Sequence, residues 1–193
     1  MNKVSILIII MMTICMSCGT DNLSPNEYIE YVERKDGDFK EKFTGEEYTL
    51  EIFHTPKEYL ALKDSIVKGK SYFKSLESYG NMMYFNMTLK SNDGNDLLKR
   101  HAKDAQEVQR KVYYFSYDIK KDISLIFDGE IYPCEMFHFE RSYDLKKDER
   151  NMIVGFYINE KPEGKASVRL SSTFMDFEAY ADIIMNNSVK LKI

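Results

Sequence analysis

The chain has 193 residues and a formal net charge of −4, from 27 basic and 31 acidic side chains. Nucleic-acid binding needs a basic surface that neutralises phosphates, so this balance argues against a DNA- or RNA-binding protein and we expect no nucleic-acid partner. The length suits one domain with a sizeable core and is short for two. Fourteen tyrosines and twelve phenylalanines, with no tryptophan, give an aromatic composition that favours strands.

The first 18 residues, MNKVSILIIIMMTICMSC, have the pattern of a bacterial export signal. Lys3 precedes an apolar run that extends to Ile14 and is too short to span a bilayer. The run ends at Ser17-Cys18-Gly19, which resembles the lipobox of bacterial lipoproteins, in which the cysteine is acylated and becomes the first mature residue. Residues 15 and 16 depart from the leucine and small residue usual there. An ordinary secretory signal with another cleavage site is the alternative.

These features predict three segments: a lipoprotein signal peptide over 1–17, a short tether over 18–22 and a single domain over 23–193. Cys18 would carry the lipid (palmitate or a similar acyl chain), so we expect an exported protein anchored to the bacterial cell envelope, at the outer membrane. Cys15 leaves with the signal and Cys134 remains alone, so no disulfide can form within the mature domain. No other apolar run in the sequence is long enough to span a bilayer either, so the lipid is the expected membrane attachment.

The first half of the domain mixes helix and strand signals. Ser24-Pro25-Asn26-Glu27 combines a capping serine, a proline at the first helical position and a glutamate at the third, so it predicts a helix start. Thr55-Pro56-Lys57-Glu58 repeats that signal, and alternation over Glu46 to Phe53 predicts a half-buried strand. The elements predicted here are helices over 24–36, 55–66 and 71–79 and strands over 46–53 and 82–89.

The second half reads mainly as strands. Residues 91–95 predict a turn, and Asn95 is expected to cap a helix that extends through Lys111. Asp128-Gly129 is a strong hairpin signal, and residues 176–186 are interpreted as a short helix, with a strand left open. The strands predicted here cover 112–117, 123–127, 131–139, 152–158, 166–171 and 189–193. The fold class is α+β, with N-terminal helices packed on a mainly antiparallel sheet.

The sequence carries no recognisable metal or cofactor motif. His54, His101 and His138 lack metal-site spacing, and no CxxC, HExxH, GxSxG, phosphate-loop or dinucleotide pattern is present. We therefore expect no metal ion and no cofactor. His54 lies beside a predicted cap and His101 on a charged predicted helix, so both are interpreted as surface or cap residues. Residues 92–96 offer oxygen ligands for calcium, but the EF-hand offsets fail and turn chemistry is the better account.

The densest polar cluster in a predicted strand is Phe137-His138-Phe139-Glu140-Arg141. Alternation places His138 and Glu140 on the face opposite the two phenylalanines. The pair could perform general acid–base chemistry, but no nucleophile or oxyanion device accompanies it, and a cross-strand ion pair on a solvated face is the competing interpretation. We therefore assign no catalytic residue and take His138, Glu140 and Arg141 as candidate binding or interface residues. The tyrosines at positions 48, 59 and 113 are expected in the core.

Three sequence patterns follow the signal in order: S-P-x-E-Y-I-x-Y-V-E, then Y-Y-F-S-Y-D, then F-H-F-E-R-S-Y. Together with the lipobox they resemble small cell-envelope lipoproteins of the Bacteroidota. That resemblance implies no assigned activity and transfers no functional residue. We expect a lipid-anchored envelope protein with a binding or assembly role, whose partners are the membrane and an envelope protein. The alternative is an envelope hydrolase that works through His138 and Glu140.

Overall fold

The structure is a computed structural model and describes residues 22–34, 37–140, 147–159, 164–185 and 189–192. The predicted signal peptide, Cys18 and Arg141 lie outside the described residues. Within those ranges, every helix is too short or too polar to cross a membrane. The mixed α+β class predicted from the sequence is confirmed.

The described chain contains short helices and longer strands. The helices are α1 (Pro25–Glu33), α2 (Lys57–Lys68), α3 (Tyr72–Tyr79) and α4 (Ala105–Tyr113), and α4 continues into a π-helical turn (Tyr114–Asp118) and a 3-10 turn (Ile119–Asp122). The strands are β1 (Asn22–Leu23), β2 (Lys40–Thr44), β3 (Tyr48–Thr55), β4 (Met82–Ser91), β5 (Ile123–Phe127), β6 (Glu130–Pro133), β7 (Met136–Phe139), β8 (Glu149–Tyr157), β9 (Gly164–Ser172), β10 (Phe177–Met185) and β11 (Lys190–Leu191).

The strands form two antiparallel sheets, one of five strands in the order β2-β3-β4-β8-β7 and one of four in the order β10-β9-β5-β6. β1 and β11 pair in parallel, so the last predicted strand is present as a short segment. One continuous core lies between the two sheets, because each buries the apolar face of its alternating strands. The prediction of one sheet in the second half is therefore wrong, since β2, β3 and β4 of the first half build the larger sheet.

A smaller hydrophobic cluster joins α1 and α2 to the larger sheet. Tyr28 and Val32 of α1 and Tyr59 of α2 are buried there, and the rings of Phe53 and Tyr59 meet edge to face at 6.0 Å. The predicted start of α1 is confirmed in its polar contacts. The Glu27 carboxylate accepts hydrogen bonds from the Ser24 backbone N–H at 2.9 Å and from the Ser24 hydroxyl at 2.6 Å.

Two predictions around the end of β3 are wrong. Thr55 remains in the strand and its hydroxyl donates to the Tyr84 carbonyl at 3.0 Å, so it does not cap the next helix, which begins at Lys57. His54 is not a surface residue. Its ring packs against Phe39 and Phe85, with centroids 5.8 and 5.1 Å away, and its Nδ1 is buried without a hydrogen-bond partner among the described residues. Burial lowers the pKa of His54 to about 4, because the charged form would lose its hydration.

The helix predicted from Asn95 begins only at Ala105. Asp104 is its N-cap, since the Asp104 carboxylate accepts a hydrogen bond from the Glu107 N–H at 2.9 Å. His101 lies before it with a φ of 55°, in the left-handed region that a helix does not use. The predicted placement of His101 on a helix is therefore wrong.

Two further elements differ in type from their prediction. Residues 112–117 are helical, because the continuing helix buries Tyr114, Phe115 and Ile119 on one side. Residues 177–185 form strand β10 and not a helix, since they pair with β9 along their whole length and bury every second side chain from Ala179 to Met185. In both cases tertiary burial outweighs local propensity.

The hairpin predicted at Asp128-Gly129 is confirmed. Both residues have positive φ, 50° and 78°, as a two-residue turn of this kind requires. The strand predicted over 131–139 is split at Cys134-Glu135, and its two pieces, β6 and β7, belong to different sheets. This crossing carries the chain from the smaller sheet to the larger one.

Candidate ligand-binding pocket

Strands β3 and β4 run between two ends of the molecule. Tyr48 pairs with Ser91 at one end, and Thr55 pairs with Tyr84 at the other. A cavity of 580 Å³ opens at the end that holds Tyr48, which we call the pocket end. Its walls come from four separate stretches: residues 46–48, 97–101, 111–115 and 174–177. The volume lies in the range typical of small-molecule sites.

Aromatic rings form much of the pocket wall. Tyr48 and Phe177 meet edge to face at 5.4 Å, and Phe174 stacks on Tyr114 with centroids 4.4 Å apart. Gly45 allows Phe177 to approach, because a Cβ at position 45 would lie 3.2 Å from that ring. Phe115 is buried and also lines the cavity. The wall therefore offers aromatic surface to the apolar body of a ligand.

Arg100 contacts two residues of the pocket wall, Glu47 and Tyr48. Its side chain is only 8% exposed, forms ion pairs with Asp93 and, at 3.4 Å, with Glu47, and lies 5.3 Å from the centroid of the Tyr48 ring. A guanidinium N–H also donates to the Ser91 hydroxyl at 2.8 Å. Hydrogen bonds from Arg100 lower the pKa of Glu47. The arrangement fixes Glu47 and Tyr48 relative to β4.

Lys111 is the one ammonium group that lines the cavity among the described residues. It donates a hydrogen bond to the backbone carbonyl of Arg100. Loss of hydration and, to a lesser extent, the positive charge of Arg100 lower the pKa of Lys111. The Lys111 ammonium group therefore loses its proton at a lower pH than that of a solvent-exposed lysine.

Carboxylates dominate the rim of the pocket. Glu47 lies 3.3 Å from Nε2 of His101, measured from its Oε1, and so has partners in both His101 and Arg100. The side chains of Glu46 and Asp176 have no hydrogen bond or ion pair within the described part of the chain, although both line the cavity. Three carboxylates thus face one lysine and one histidine, and the rim carries net negative charge.

Asn92 clamps the loop that carries Glu46 and Glu47. Its side-chain amide donates to the carbonyls of Gly45 at 2.9 Å and Glu46 at 3.0 Å, and its Oδ1 accepts from the Thr49 hydroxyl at 2.7 Å. The turn predicted over 91–95 is confirmed. Asp93 accepts hydrogen bonds from Ser91 and Asn95 there, and these bonds lower the pKa of its carboxyl. No group of three or more His, Cys, Asp or Glu residues suited to a metal ion occurs in the described ranges.

His138 and Glu140 lie away from this pocket, on the exposed face of the larger sheet. The predicted alternation is confirmed, since Phe137 and Phe139 pack against the core. His138 is opposite Ile153 of β8, and the Glu140 carboxylate accepts from the Asn151 amide at 3.0 Å. The structure brings these two candidates onto one face, while Arg141 lies outside the described residues.

Other expected residues are placed as follows. Tyr48 and Tyr59 are buried as predicted, whereas Tyr113 is exposed because it lies on the outer side of α4. Cys134 is a free, buried cysteine whose thiol donates to the Met136 carbonyl at 3.2 Å. Burial raises the pKa of Cys134 to about 11, so it is a poor nucleophile.

Sequence reasoning missed most of the pocket. Arg100, Lys111 and Phe174 were not singled out, and His101 was interpreted as a surface residue. No local spacing joins them, because four stretches distant in sequence build the cavity. No protein-family model, curated protein or solved structure matches the chain significantly.

Proposed function

We propose that the protein is a lipid-anchored cell-envelope protein that binds a small organic cation with an apolar or aromatic body in the pocket. The observation that carries the binding role is a 580 Å³ cavity with aromatic walls, on whose rim Glu46 and Asp176 have no partner among the described residues. Ring faces hold an apolar body, and free carboxylates attract a positive group. The rim charge thus favours a cation over an anion of the same shape.

The anchoring part of the proposal depends on the sequence. Lys3, the short apolar run and Ser17-Cys18-Gly19 support export and acylation at Cys18. The same pattern supports placing the chain with small envelope lipoproteins of the Bacteroidota type. A protein of this kind would act as an accessory part beside an envelope partner and deliver or sense the ligand at the membrane surface.

The described geometry supports binding better than hydrolysis. In the described residues the pocket lining contains carboxylates, an imidazole and an ammonium group, and its one hydroxyl is the Tyr48 phenol, so hydrolysis through a serine, threonine or cysteine has no nucleophile there. The alternative site at His138 and Glu140 lies on an open sheet face, where water is not excluded from a substrate. A binding role therefore explains more of the side chains that line the pocket than hydrolysis does.

Two probes with one ring system and opposite charge test the binding role. Calorimetric titration should show that tryptamine binds the full chain at least about tenfold more tightly than indole-3-propionate, which corresponds to about 1.4 kcal/mol. Glu46→Gln combined with Asp176→Asn should remove most of this preference, because it neutralises the free rim carboxylates. The matched control is Glu41→Gln, which removes an exposed carboxylate on β2 away from the lining. Equal affinity for the two probes, or tighter binding of the anion, would contradict the proposal.

A further inference from the structure

Large apolar side chains are exposed where α2 ends and α3 begins. Ile66, Val67 and Phe73 are 60%, 72% and 67% exposed, and residues 66–71 are exposed without interruption. We call residues 66–74 the helical tip. Gly69, with a φ of 64°, ends α2 in the left-handed conformation and turns the chain into α3. Three large apolar side chains are thus exposed on either side of one short turn between helices, and exposed apolar side chains grouped in this way mark a docking site.

Lysines surround these apolar side chains. Residues 57–74 contain five lysines and two acids, although the whole chain has a net charge of −4. Lys68 and Lys70 share one carboxylate, that of Asp64, at 2.6 and 3.2 Å. Lys74 has no ion pair within the described ranges. The helical tip therefore combines an apolar surface with net positive charge.

The N-terminal end of the described chain lies on the same side of the molecule. Leu23 and Tyr72, the first residue of α3, pack against the same small hydrophobic cluster. Asn22 is four positions after Cys18, and a chain of that length spans at most about 14 Å. A lipid on Cys18 would hold the membrane surface within reach of the helical tip.

We infer that the helical tip inserts into the interface of an anionic lipid bilayer and orients the anchored protein. The apolar side chains of Ile66, Val67 and Phe73 enter the boundary between headgroups and acyl chains, and Lys70 and Lys74 contact the lipid phosphates. The charge pattern and the position of the N-terminal end favour a bilayer as the occupant over a protein groove. The inference depends on the proposed anchor at Cys18, which supplies the main attachment.

Depth-dependent fluorescence quenching tests the inference. The acylated full chain, labelled at Val67→Cys or Phe73→Cys, is reconstituted in phosphatidylethanolamine–phosphatidylglycerol vesicles that contain spin-labelled lipid. Cys134 should not compete for the label because it is buried. The control probe is Ile131→Cys in the smaller sheet, which is 66% exposed and matches the two tip positions. We expect quenching at the tip positions to exceed that at position 131 by at least about twofold.

Charge variants complete the test. Lys70→Gln with Lys74→Gln should reduce the quenching at position 67, whereas Lys99→Gln with Lys103→Gln, exposed lysines at the pocket end, should not. Chains that float with the vesicles but show equal quenching at positions 67, 73 and 131 would overturn the insertion and leave the anchor intact. A chain that does not float would overturn both proposals. Flotation of Cys18→Ala with unchanged quenching would refute the anchor, and with it the premise that Cys18 supplies the main attachment.

Discussion

The two ends of β3 and β4 differ in how they use polar side chains. At the pocket end, Arg100 and Asn92 connect the loops through ion pairs and hydrogen bonds, and charged side chains lie on the rim. At the opposite end, which we call the helical end, α1 and α2 pack through apolar side chains, and the helical tip exposes large apolar side chains among lysines. β3 covers roughly 25 Å between these ends. A bilayer at the helical tip would leave the pocket facing solvent.

The two ends should also respond to acid over different pH ranges. The folded-state pKa of His54, at the helical end, lies below its unfolded value of about 6.5, so its stabilising effect is present above that value and is lost as the pH falls. Glu47 and Asp93, at the pocket end, have lowered pKa values, so their effect is lost only below the ordinary carboxylate range of about 4. Mild acid therefore weakens the helical end first.

The largest expected effect concerns His54. The free energy of unfolding of the wild-type chain should contain a contribution that falls by about 3 kcal/mol between about pH 7 and pH 4, because the unfolded histidine binds a proton that the folded one does not. His54→Phe should remove that contribution. Chemical denaturation at a series of pH values measures how the free energy of unfolding depends on pH in the wild type and in His54→Phe.

His138→Asn is the control for His54, since it removes an exposed histidine and leaves His54 in place. Its pH profile should follow the wild type. If the free energy of unfolding of His54→Phe depended on pH in the same way as that of the wild type, His54 would not be buried in its neutral form. The proposed difference in acid response between the two ends would then be wrong.

A smaller effect is expected for Arg100→Leu at the pocket end. The variant leaves Asp93 and Glu47 without their main cation, and we expect a loss of about 2 kcal/mol in the free energy of unfolding at neutral pH. Both carboxylates are 43% exposed, so water screens them and keeps the loss below that for a fully buried pair.

Arg169→Leu is the matched control for Arg100, because Arg169 pairs with Glu178 at 2.7 Å in a more exposed setting. It should lose clearly less stability than Arg100→Leu in the same denaturation experiment. Equal losses would show that Arg100 does not hold the pocket end together and that the loops there are fixed by other contacts.

Local sequence patterns predicted the fold correctly where the buried face or the start of an element depends only on residues close together in sequence. The alternation of Tyr48, Leu50 and Ile52 and the contact of Ser24 with Glu27 needed only neighbouring residues. Residues 112–117 were assigned the wrong type, and residues 177–185 were left open between helix and strand, because partners distant in sequence decide which side is buried there. Aromatic residues such as Tyr114 favour strands in isolation, but the core accommodates them on a helix.

The pocket could not be predicted from spacing. Its charged side chains lie on separate elements. Glu47 is in the loop before β3, Lys111 is on α4, and Arg100, which pairs with Glu47, follows β4. Only the pairing of β3 with β4 and the turn of α4 onto the smaller sheet bring them together. His138 and Glu140 were chosen as candidates because polar residues lie close together there in the sequence. Polar residues along one strand, however, form an open sheet face and not a cavity.

The pocket end is the proposed ligand site. A measurement of which residues a bound ligand contacts tests this proposal most directly. Tryptamine is titrated into isotope-labelled full-length protein, and the shifts of backbone amide resonances are mapped onto the sequence. We predict the largest shifts at the residues that line the cavity, which are 46–48, Leu97, His101, Lys111, Phe115 and 174–177. Shifts centred on His138 and Glu140 instead, with the pocket residues unchanged, would contradict this account and place the site on the open face of the larger sheet.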